Sequence, residues 1–318
     1  MSVPQEGRDR PIDRRTASPN ETEPRRSGPT NRSLVVGNSS STSSDLLPAT
    51  RPNKRTGRRI LASLQSSIST RDLEILKSIS THRLLTSKHV EQLHFTGHGS
   101  ALAATRSTNR VLKRLDALQL INHLDRRVGG VHAGSSSYVW QLAPAGDRLL
   151  QIDLGNGTRR RQREPSVRLL EHTLAVADTH IALVRATRTS DLELVTVQVE
   201  PGSWRYFPRA GGTRRLIRPD LAVVTAQGDF EDHWFLEVDL GSEHPPTVVR
   251  KCQLYEDYRR SGIEQDAHDV FPRILWVVPN RARANKLAEA VRVARLDKDL
   301  FRVITTDQLV ETVIGGAA

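Results

Sequence analysis

The sequence predicts an α/β domain in the C-terminal half of the chain, preceded by a smaller helical domain and a polar N-terminal tail. Residues 274–278, Ile-Leu-Trp-Val-Val, are apolar at every position, which is typical of a central strand covered on both faces. From about residue 165 the apolar pattern switches repeatedly between helical and strand periods, whereas from Thr70 it is helical until a short hairpin pattern appears. Two domains and a tail suit a chain of 318 residues.

Residues 1–57 are rich in Ser, Pro, Thr, Asn and Arg, and residues 39–44 are almost pure Ser and Thr. Such a segment cannot bury enough apolar surface to offset the entropy lost on ordering. We therefore predict a disordered basic tail, which is either simply solvated or docks on nucleic-acid phosphates.

Residues 58–152 are predicted to form a winged helix-turn-helix domain. Three apolar stripes at helical spacing are followed by strand-like residues 120–124, a Gly- and Ser-rich stretch 129–137, and strand-like residues 138–142. Pro144 then opens a further helix. The stripes are Leu73, Leu76 and Ile79 in the first helix, Val90 and Leu93 in the second, and Val111, Leu112, Leu115 and Leu118 in the third.

Basic residues surround the apolar stripe of the third predicted helix and occupy the predicted wing. A winged helix presents this helix to the major groove of DNA and the wing to the backbone, and Asn and Arg suit adenine and guanine edges. The alternative is a protein-contact module with a solvated basic face. The net charge of +11 and a pI near 10.4 favour a polyanion, here double-stranded DNA. The candidate DNA-binding residues are Arg106, Asn109, Arg110, Lys113, Arg114, Arg126 and Arg127.

Residues 165–318 are predicted to form an α/β sandwich with a mixed sheet. The predicted order is αβββαβ, followed by αβ. It consists of a helix at about 165–186, strands at 192–200, 216–224 and 233–240, a helix at 247–260, a strand at 274–278, a helix at 283–294 and a strand at 301–305.

Two acidic motifs lie on neighbouring predicted strands, Arg218-Pro219-Asp220 and Glu237-Val238-Asp239. At strand period Arg218 and Asp220 share one face, as do Glu237 and Asp239. The polar, Gly-containing stretch 225–233 suits an antiparallel hairpin turn, so three carboxylates are expected to converge. Like charges this close need a positive partner or protons, and a hard divalent cation is the usual partner.

The αβββαβ order with Pro219-Asp220 and Glu237-x-Asp239 resembles the PD-(D/E)xK nuclease superfamily, which has the restriction-endonuclease-like fold. With the preceding winged helix, the chain resembles the replication-relaxation family of bacterial plasmids and mobile elements over about residues 70–310. The further motifs that carry this resemblance are Glu171-His172-Thr-Leu, Arg218-Pro-Asp-Leu, Phe235-Leu-Glu-Val-Asp239 and Lys251-x-x-x-Tyr255.

The resemblance implies a catalytic set of Asp220, Glu237, Asp239 and Lys251. Asp220 and Glu237 would bind Mg²⁺ or Mn²⁺ for phosphodiester hydrolysis, and an acidic residue of the long helix, Glu171 or Asp178, would complete the metal site. The superfamily lysine would stand at position 239, where this chain has Asp. Lys251 could supply that ammonium from the next helix, and either Lys251 or Arg218 would neutralise charge in the reaction. The alternative is that Lys251 is a solvated surface charge.

Three functions remain open from the sequence. The first is a DNA-binding accessory protein of plasmid or mobile-element replication and relaxation, with relaxase or replication proteins as partners and a nuclease-like domain that has lost catalysis. The second is an active metal-dependent DNA nicking or cleaving enzyme, and the third is a winged-helix transcriptional regulator. A two-fold dimer is common among winged-helix proteins, but nothing in the sequence encodes an interface.

The remaining features exclude other classes. The single cysteine, Cys252, excludes an intramolecular disulfide framework and a cysteine-cluster metal site. No apolar run approaches the roughly 18 residues that span a bilayer, and no signal-peptide pattern is present, so a cytoplasmic protein without a membrane partner is expected. His172 is expected either to orient Glu171 or a phosphate, or to be a structural histidine.

Overall fold

The computed structural model describes residues 58–124, 137–154, 165–208 and 212–317. All of these belong to one compact unit, Lys54–Ala318. The predicted tail, and the predicted wing residues Arg126 and Arg127, lie outside the described residues. The boundary between two domains near residues 152–165 stays a prediction.

The first part of the unit contains five helices and a three-stranded antiparallel sheet among its described residues. The sheet order is β1-β3-β2. The predicted order of three helices and two strands is present, whereas the first helix and the first strand were not predicted. The elements are α1 (Arg58–Ser67), α2 (Thr70–His82), β1 (Leu85–Thr86), α3 (Ser87–His94), α4 (Ala101–Ala117), β2 (Ile121–His123), β3 (Val139–Leu142) and α5 (Pro144–Leu154).

Side-chain caps explain where α2 begins and how it is fixed to α4. The hydroxyl of Ser69 accepts a hydrogen bond from the backbone N–H of Asp72, and the Asp72 carboxylate accepts one from the backbone of Ser69. This reciprocal arrangement satisfies two backbone donors at the helix start. The guanidinium of Arg114 on α4 donates to the other oxygen of the buried Asp72. Arg114 therefore links two helices.

The second part of the unit is built on a five-stranded mixed sheet in the order β10-β9-β8-β7-β4. Strands β8, β9 and β10 are parallel, and β7 is antiparallel to β4 and β8. This confirms the predicted α/β class with a mixed sheet. The elements are α6 (Val167–Ala186), β4 (Glu193–Val199), β5 (Arg205–Pro208), β6 (Arg214–Ile217), β7 (Leu221–Gln227), β8 (Phe230–Val238), α7 (Pro245–Arg260), α8 (Ile263–His268), β9 (Arg273–Val278), α9 (Arg281–Val293), β10 (Phe301–Thr305), a 3-10 helix (Thr306–Gln308) and α10 (Leu309–Ile314).

Residues 216–224 do not form one strand, and that prediction was wrong. The chain leaves the ladder at Arg218-Pro219-Asp220, so β6 and β7 are separate strands, and β6 pairs instead with the unpredicted β5. Proline has no N–H to donate and restricts the residue before it, which accounts for the break. Arg218 and Asp220 therefore do not share a strand face.

The predicted hairpin between the two acidic motifs is present and is tighter than expected. β7 and β8 pair from Leu221 with Leu236 up to Gln227 with Phe230, which leaves only residues 228 and 229 in the turn. Gly228 has a φ of +59°, a conformation that glycine adopts without steric cost. This register fixes which residues of the two strands lie opposite each other.

Both faces of the sheet are covered by helices. Side chains of β9 alternate between two cores: Ile274 and Trp276 pack towards α7 and α9, whereas Leu275 packs towards α6 and α10. All five residues of 274–278 are at least 98% buried. The expectation of a central strand covered on both sides is thus confirmed.

Helix α6 also packs against the helices of the first part. Ala177 lies in the same apolar cluster as residues of α2, α4 and α5. His82 Nε2 on α2 lies 2.9 Å from His180 Nδ1 on α6, and His89 Nε2 on α3 lies 2.8 Å from an oxygen of Asp178. These contacts hold one side of α6 to α2 and α3.

The paired histidines are neutral in the folded protein. Burial lowers the pKa of His82 to about 3, with further repulsion from His180 and His89, and burial lowers the pKa of His180 to about 4. In the unfolded chain both rings take up a proton near pH 6.5. Their contribution to stability is therefore present above pH 6.5 and lost as the pH falls towards 4.

We expect the free energy of unfolding to fall by up to about 2 kcal/mol per histidine between pH 6.5 and 5, because only the unfolded state gains the protons. Denaturant titrations at several pH values measure this loss. His180→Gln should lose less stability over the same interval, whereas His244→Gln, a change of an exposed histidine, should keep the wild-type pH dependence. Equal pH dependence in all three proteins would contradict the assignment.

Candidate functional site

Asp220 and Glu237 lie next to each other across the β7–β8 ladder. Leu221 pairs with Leu236, and the backbone N–H of Asp220 donates to the carbonyl of Leu236 at 3.0 Å, so Asp220 stands opposite Glu237 where β7 begins. The residues are 7% and 3% exposed, respectively. The structure therefore brings these two predicted carboxylates together in a buried position.

Two side chains of α7 bind the carboxylate of Glu237. The hydroxyl of Tyr255 donates to Oε1 at 2.6 Å, and the ammonium of Lys251 lies 3.1 Å from Oε2. Because they are four residues apart, Lys251 and Tyr255 project from successive turns of one helix face. Lys251 also donates to Glu243 at 2.7 Å. Lys251 is thus a partner of the buried site and not a solvated surface charge.

The pKa of Glu237 is raised to about 7, because burial and, to a smaller extent, the nearby charge of Asp220 outweigh the opposing effect of Lys251 and the hydrogen bond from Tyr255. Burial also disfavours the charged form of Lys251, but the carboxylates of Glu237 and Glu243 outweigh this and raise its pKa above the usual range. Burial and the charge of Glu237 likewise raise the pKa of Tyr255. At neutral pH Lys251 is charged and Tyr255 is a hydrogen-bond donor.

Asp220 is held from two sides. Its Oδ1 lies 2.9 Å from His172 Nε2 on α6, and its Oδ2 accepts the backbone N–H of Val238 at 2.7 Å. The hydrogen bond to Asp220 raises the pKa of His172, although burial opposes the charged ring. His172 therefore binds Asp220. It does not bind Glu171, which it would have to do in order to orient that residue, as one expectation from the sequence had it.

The acidic residues of α6 are not part of this arrangement. Glu171 is exposed, and the α6 side chain that contacts Asp220 is its neighbour His172. Asp178, two turns further on, binds His89 of α3. The prediction that Glu171 or Asp178 completes a metal site therefore finds no contact to support it, because the helix turns His172 towards the sheet.

Asp239 stands apart from the other two carboxylates in its bonding. It directly follows β8, and its oxygens accept from the guanidinium of Arg283 at 2.5 Å and from the backbone of Gly241 at 3.0 Å. Arg283 also donates to the carbonyl of Glu243 at 2.6 Å. Asp239 thus forms a buried ion pair that fixes the start of α9. Position 239 is the one at which the resemblance would place the superfamily lysine.

The donor set does not fit a divalent cation. All four carboxylate oxygens of Asp220 and Glu237 already accept hydrogen bonds or ion-pair contacts from the protein. Within residues 58–124, 137–154, 165–208 and 212–317, no group of three or more His, Cys, Asp or Glu side chains is arranged to hold a metal ion. Lys251 and His172 supply the positive charge that convergent carboxylates require. Binding of Mg²⁺ or Mn²⁺ stays a prediction.

A cleft leads to this cluster from the surface between α2, α6 and β4. Its lining includes Arg83, His172, Thr173, Glu200 and Asp220.

Arg218 is exposed and does not contact the carboxylates; its guanidinium lies 5.0 Å from the ring centroid of Trp204. Sequence reasoning missed Tyr255 and Glu243 as partners of the site, although the four-residue spacing of Lys251 and Tyr255 signals a shared helix face.

The predicted DNA-facing residues of α4 are all exposed, and they divide into two groups. Four lie on the side opposite the buried Ala104, Thr108, Leu112 and Leu115. The side chain of Arg114 is 45% exposed but forms an ion pair with the buried Asp72, so the structure gives it a structural role. The four residues of the first group are Arg106, Asn109, Arg110 and Lys113.

We expect Lys251→Met to destabilise the protein by about 2 kcal/mol at pH 8. This is less than the 3–5 kcal/mol typical of breaking a fully buried pair, because the lysine is partly exposed. The loss should shrink towards pH 5, since Glu237, with its raised pKa, then takes up a proton in the folded state and no longer carries a charge without its partner.

The double variant Glu237→Gln with Lys251→Met should recover most of this stability, and its difference from the wild type should lack the pH dependence that Glu237 gives to Lys251→Met, as measured by denaturant unfolding. Lys286→Met, which removes an exposed charge from α9, serves as the matched control. Additive effects of the two changes at the site would contradict direct coupling between Glu237 and Lys251.

Comparison with known proteins places the chain in a family. No curated protein matches its sequence. Among solved structures, restriction endonuclease FokI is similar at 9% identity over 81% of this chain and 71% of that chain, with a TM-score of 0.24, a value too low to support an argument. No described helix is long and apolar enough to cross a membrane. The model of the replication-relaxation family matches residues 76–274. The chain belongs to the replication-relaxation family.

Proposed function

We propose that this protein is a DNA-binding accessory factor in the replication or relaxation of a plasmid or another mobile element. The observation that carries the proposal is the exposed basic face of α4. Arg106, Asn109, Arg110 and Lys113 project from one side of the helix, and no carboxylate of the described residues pairs with them. Family membership supports a role in replication.

The elements around α4 suit a winged helix. Helices α2, α3 and α4 precede the β2–β3 pair, and β1 completes a sheet in the order β1-β3-β2. In such a domain the third helix enters the major groove, where Arg110 and Asn109 are the candidates for reading base edges. The ion pair between Arg114 and Asp72 holds α4 against α2 and thereby supports this exposed face.

The C-terminal domain, in this proposal, retains a nuclease-like arrangement without catalysis. Asp239 is bound by Arg283, and the carboxylates of Asp220 and Glu237 are bound by His172, Lys251, Tyr255 and a backbone N–H. A cluster that is already satisfied in charge and hydrogen bonds supports a structural role near the DNA backbone. Relaxase or replication proteins would then supply the strand chemistry.

Phosphodiester cleavage is the second candidate, and one observation favours it. The ammonium of Lys251 reaches the site from α7 and lies 3.1 Å from Glu237. Because position 239 is not a lysine, a relocated lysine would have to place its ammonium beside this carboxylate, as Lys251 does. Any such activity would depend on Mg²⁺ or Mn²⁺, for which the described side chains form no ready site.

Arg110→Ala is expected to weaken binding to duplex DNA and to reduce the slope of log affinity against log salt by about 1, because one phosphate or base contact is lost. Gel shifts across a series of salt concentrations measure both quantities. Arg302→Ala removes the same charge from an exposed position on β10 and should leave binding unchanged. Unaltered affinity and slope in Arg110→Ala would refute docking through α4.

Arg114→Ala should instead lower the stability of the protein, since it leaves the buried Asp72 without its partner.

Supercoiled plasmid incubated with the protein and Mg²⁺ or Mn²⁺ is expected to remain supercoiled, because the carboxylates are already occupied by protein donors. Agarose gels separate supercoiled from open-circular DNA. Metal-dependent open circles that disappear in both Asp220→Ala and Glu237→Ala would contradict this expectation and establish the enzyme.

A further inference from the structure

The β5–β6 hairpin has two chemically distinct faces. Tyr206 pairs with Leu216 and Pro208 with Arg214, and cross-strand partners project from the same face of a sheet. Alternation along each strand therefore puts Tyr206 and Arg214 on one face and Phe207 and Arg215 on the other. Trp204 and Arg218 flank the paired residues. Because Trp204 is two residues from Tyr206 and Arg218 is two residues from Leu216, both lie on the same face as Tyr206 and Leu216.

The inner face is packed and its charges are paired. Phe207 and Ile217 are 3% and 1% exposed and belong to the apolar core beside α7. Arg205 lies 3.3 Å from the carboxylate of Glu264, and Arg215 forms an ion pair with Asp257 of α7. Each arginine on this face thus has a carboxylate partner, and the face is structural.

The outer face pairs its arginines with aromatic rings. The guanidinium of Arg214 lies 5.1 Å from the centroid of Tyr206, and that of Arg218 lies 5.0 Å from the centroid of Trp204. Among the described residues, no carboxylate forms an ion pair with either arginine, and Glu200 accepts from the indole of Trp204 instead. Tyr206 is 52% exposed. We call Trp204, Tyr206, Arg214 and Arg218 the arginine–aromatic face.

We propose that the arginine–aromatic face binds an unpaired DNA strand. The exposed ring of Tyr206 and the half-buried ring of Trp204 offer stacking surfaces to bases that a duplex keeps stacked on each other, and arginine without a carboxylate partner is available to phosphates. A purely acidic peptide would use the two charges but not the rings. The inference relies on the proposed function only for DNA as the ligand, and it adds a second binding mode to the duplex contact of α4.

The position of this face relates it to the buried carboxylates. Arg218 is two residues from Asp220, and the buried hydroxyl of Ser203, next to Trp204, donates to the carbonyl of Pro219. The base of the hairpin is therefore tied to the strand break that carries Asp220. A strand bound on the hairpin would run beside the entrance to that site.

Fluorescence anisotropy with a labelled oligo(dT) single strand and with a duplex of equal length tests the proposal. Tyr206→Ala is expected to raise the Kd for the single strand at least about fivefold, as expected for loss of one stacked base, and to leave the duplex Kd unchanged. Tyr206→Phe should bind like the wild type because the ring is kept. Arg214→Lys, which keeps the charge but not the planar stacking group, should bind the single strand more weakly.

Matched controls separate stacking from general effects. Phe230→Ala removes a ring that is 78% exposed at the β7–β8 turn, and Arg302→Ala removes an exposed charge from β10, an edge strand of the five-stranded sheet; neither should alter single-strand binding. Single-strand binding by Tyr206→Ala equal to that of the wild type would overturn the proposal, as would equal weakening of single-strand and duplex binding. Duplex binding by Arg110→Ala tests α4 and does not depend on the single-strand binding of Tyr206→Ala. Failure of duplex docking through α4 and failure of single-strand binding at the arginine–aromatic face are therefore distinguished.

Discussion

The contact between Glu237 and Lys251 is the constraint on which the five-stranded sheet and its helices depend. Glu237 is buried at the end of the β7–β8 ladder opposite Asp220, and its carboxylate must either be neutralised or take up a proton. Lys251 and Tyr255 meet that requirement from one face of α7. The helix is therefore positioned on the sheet by polar contacts as well as by apolar packing. The same contacts occupy the oxygens that a cation would need.

The acidic cluster is best understood as a set of paired charges. Asp220 has His172, Glu237 and Glu243 share Lys251, and Asp239 has Arg283. Each pair joins the sheet to a different helix, namely α6, α7 and α9. These acidic residues thus fasten three helices to one end of the sheet. The basic face of α4 and the arginine–aromatic face differ from this cluster because their exposed arginines have no carboxylate partner among the described residues.

The sequence predicted the classes of element well, because apolar periodicity and turn residues are local signals. The run 274–278, the β7–β8 hairpin and the stripe of α4 follow directly from spacing. The break at Pro219 was missed because the apolar residues on either side continue the strand pattern. The partner of a charged side chain is not local: nothing in the spacing shows that Arg114 binds Asp72, or that α6 turns His172 and not Glu171 towards Asp220.

In the structure, Lys251 is the cationic partner of Glu237. Titration of the carboxyl carbons by NMR, with and without Mg²⁺, distinguishes this partner from a metal ion. With Lys251 as the partner, Glu237 should titrate with a pKa of about 7 that Mg²⁺ leaves unchanged. A Mg²⁺-dependent fall in that pKa, abolished in Asp220→Asn, would show instead that the two carboxylates bind a cation.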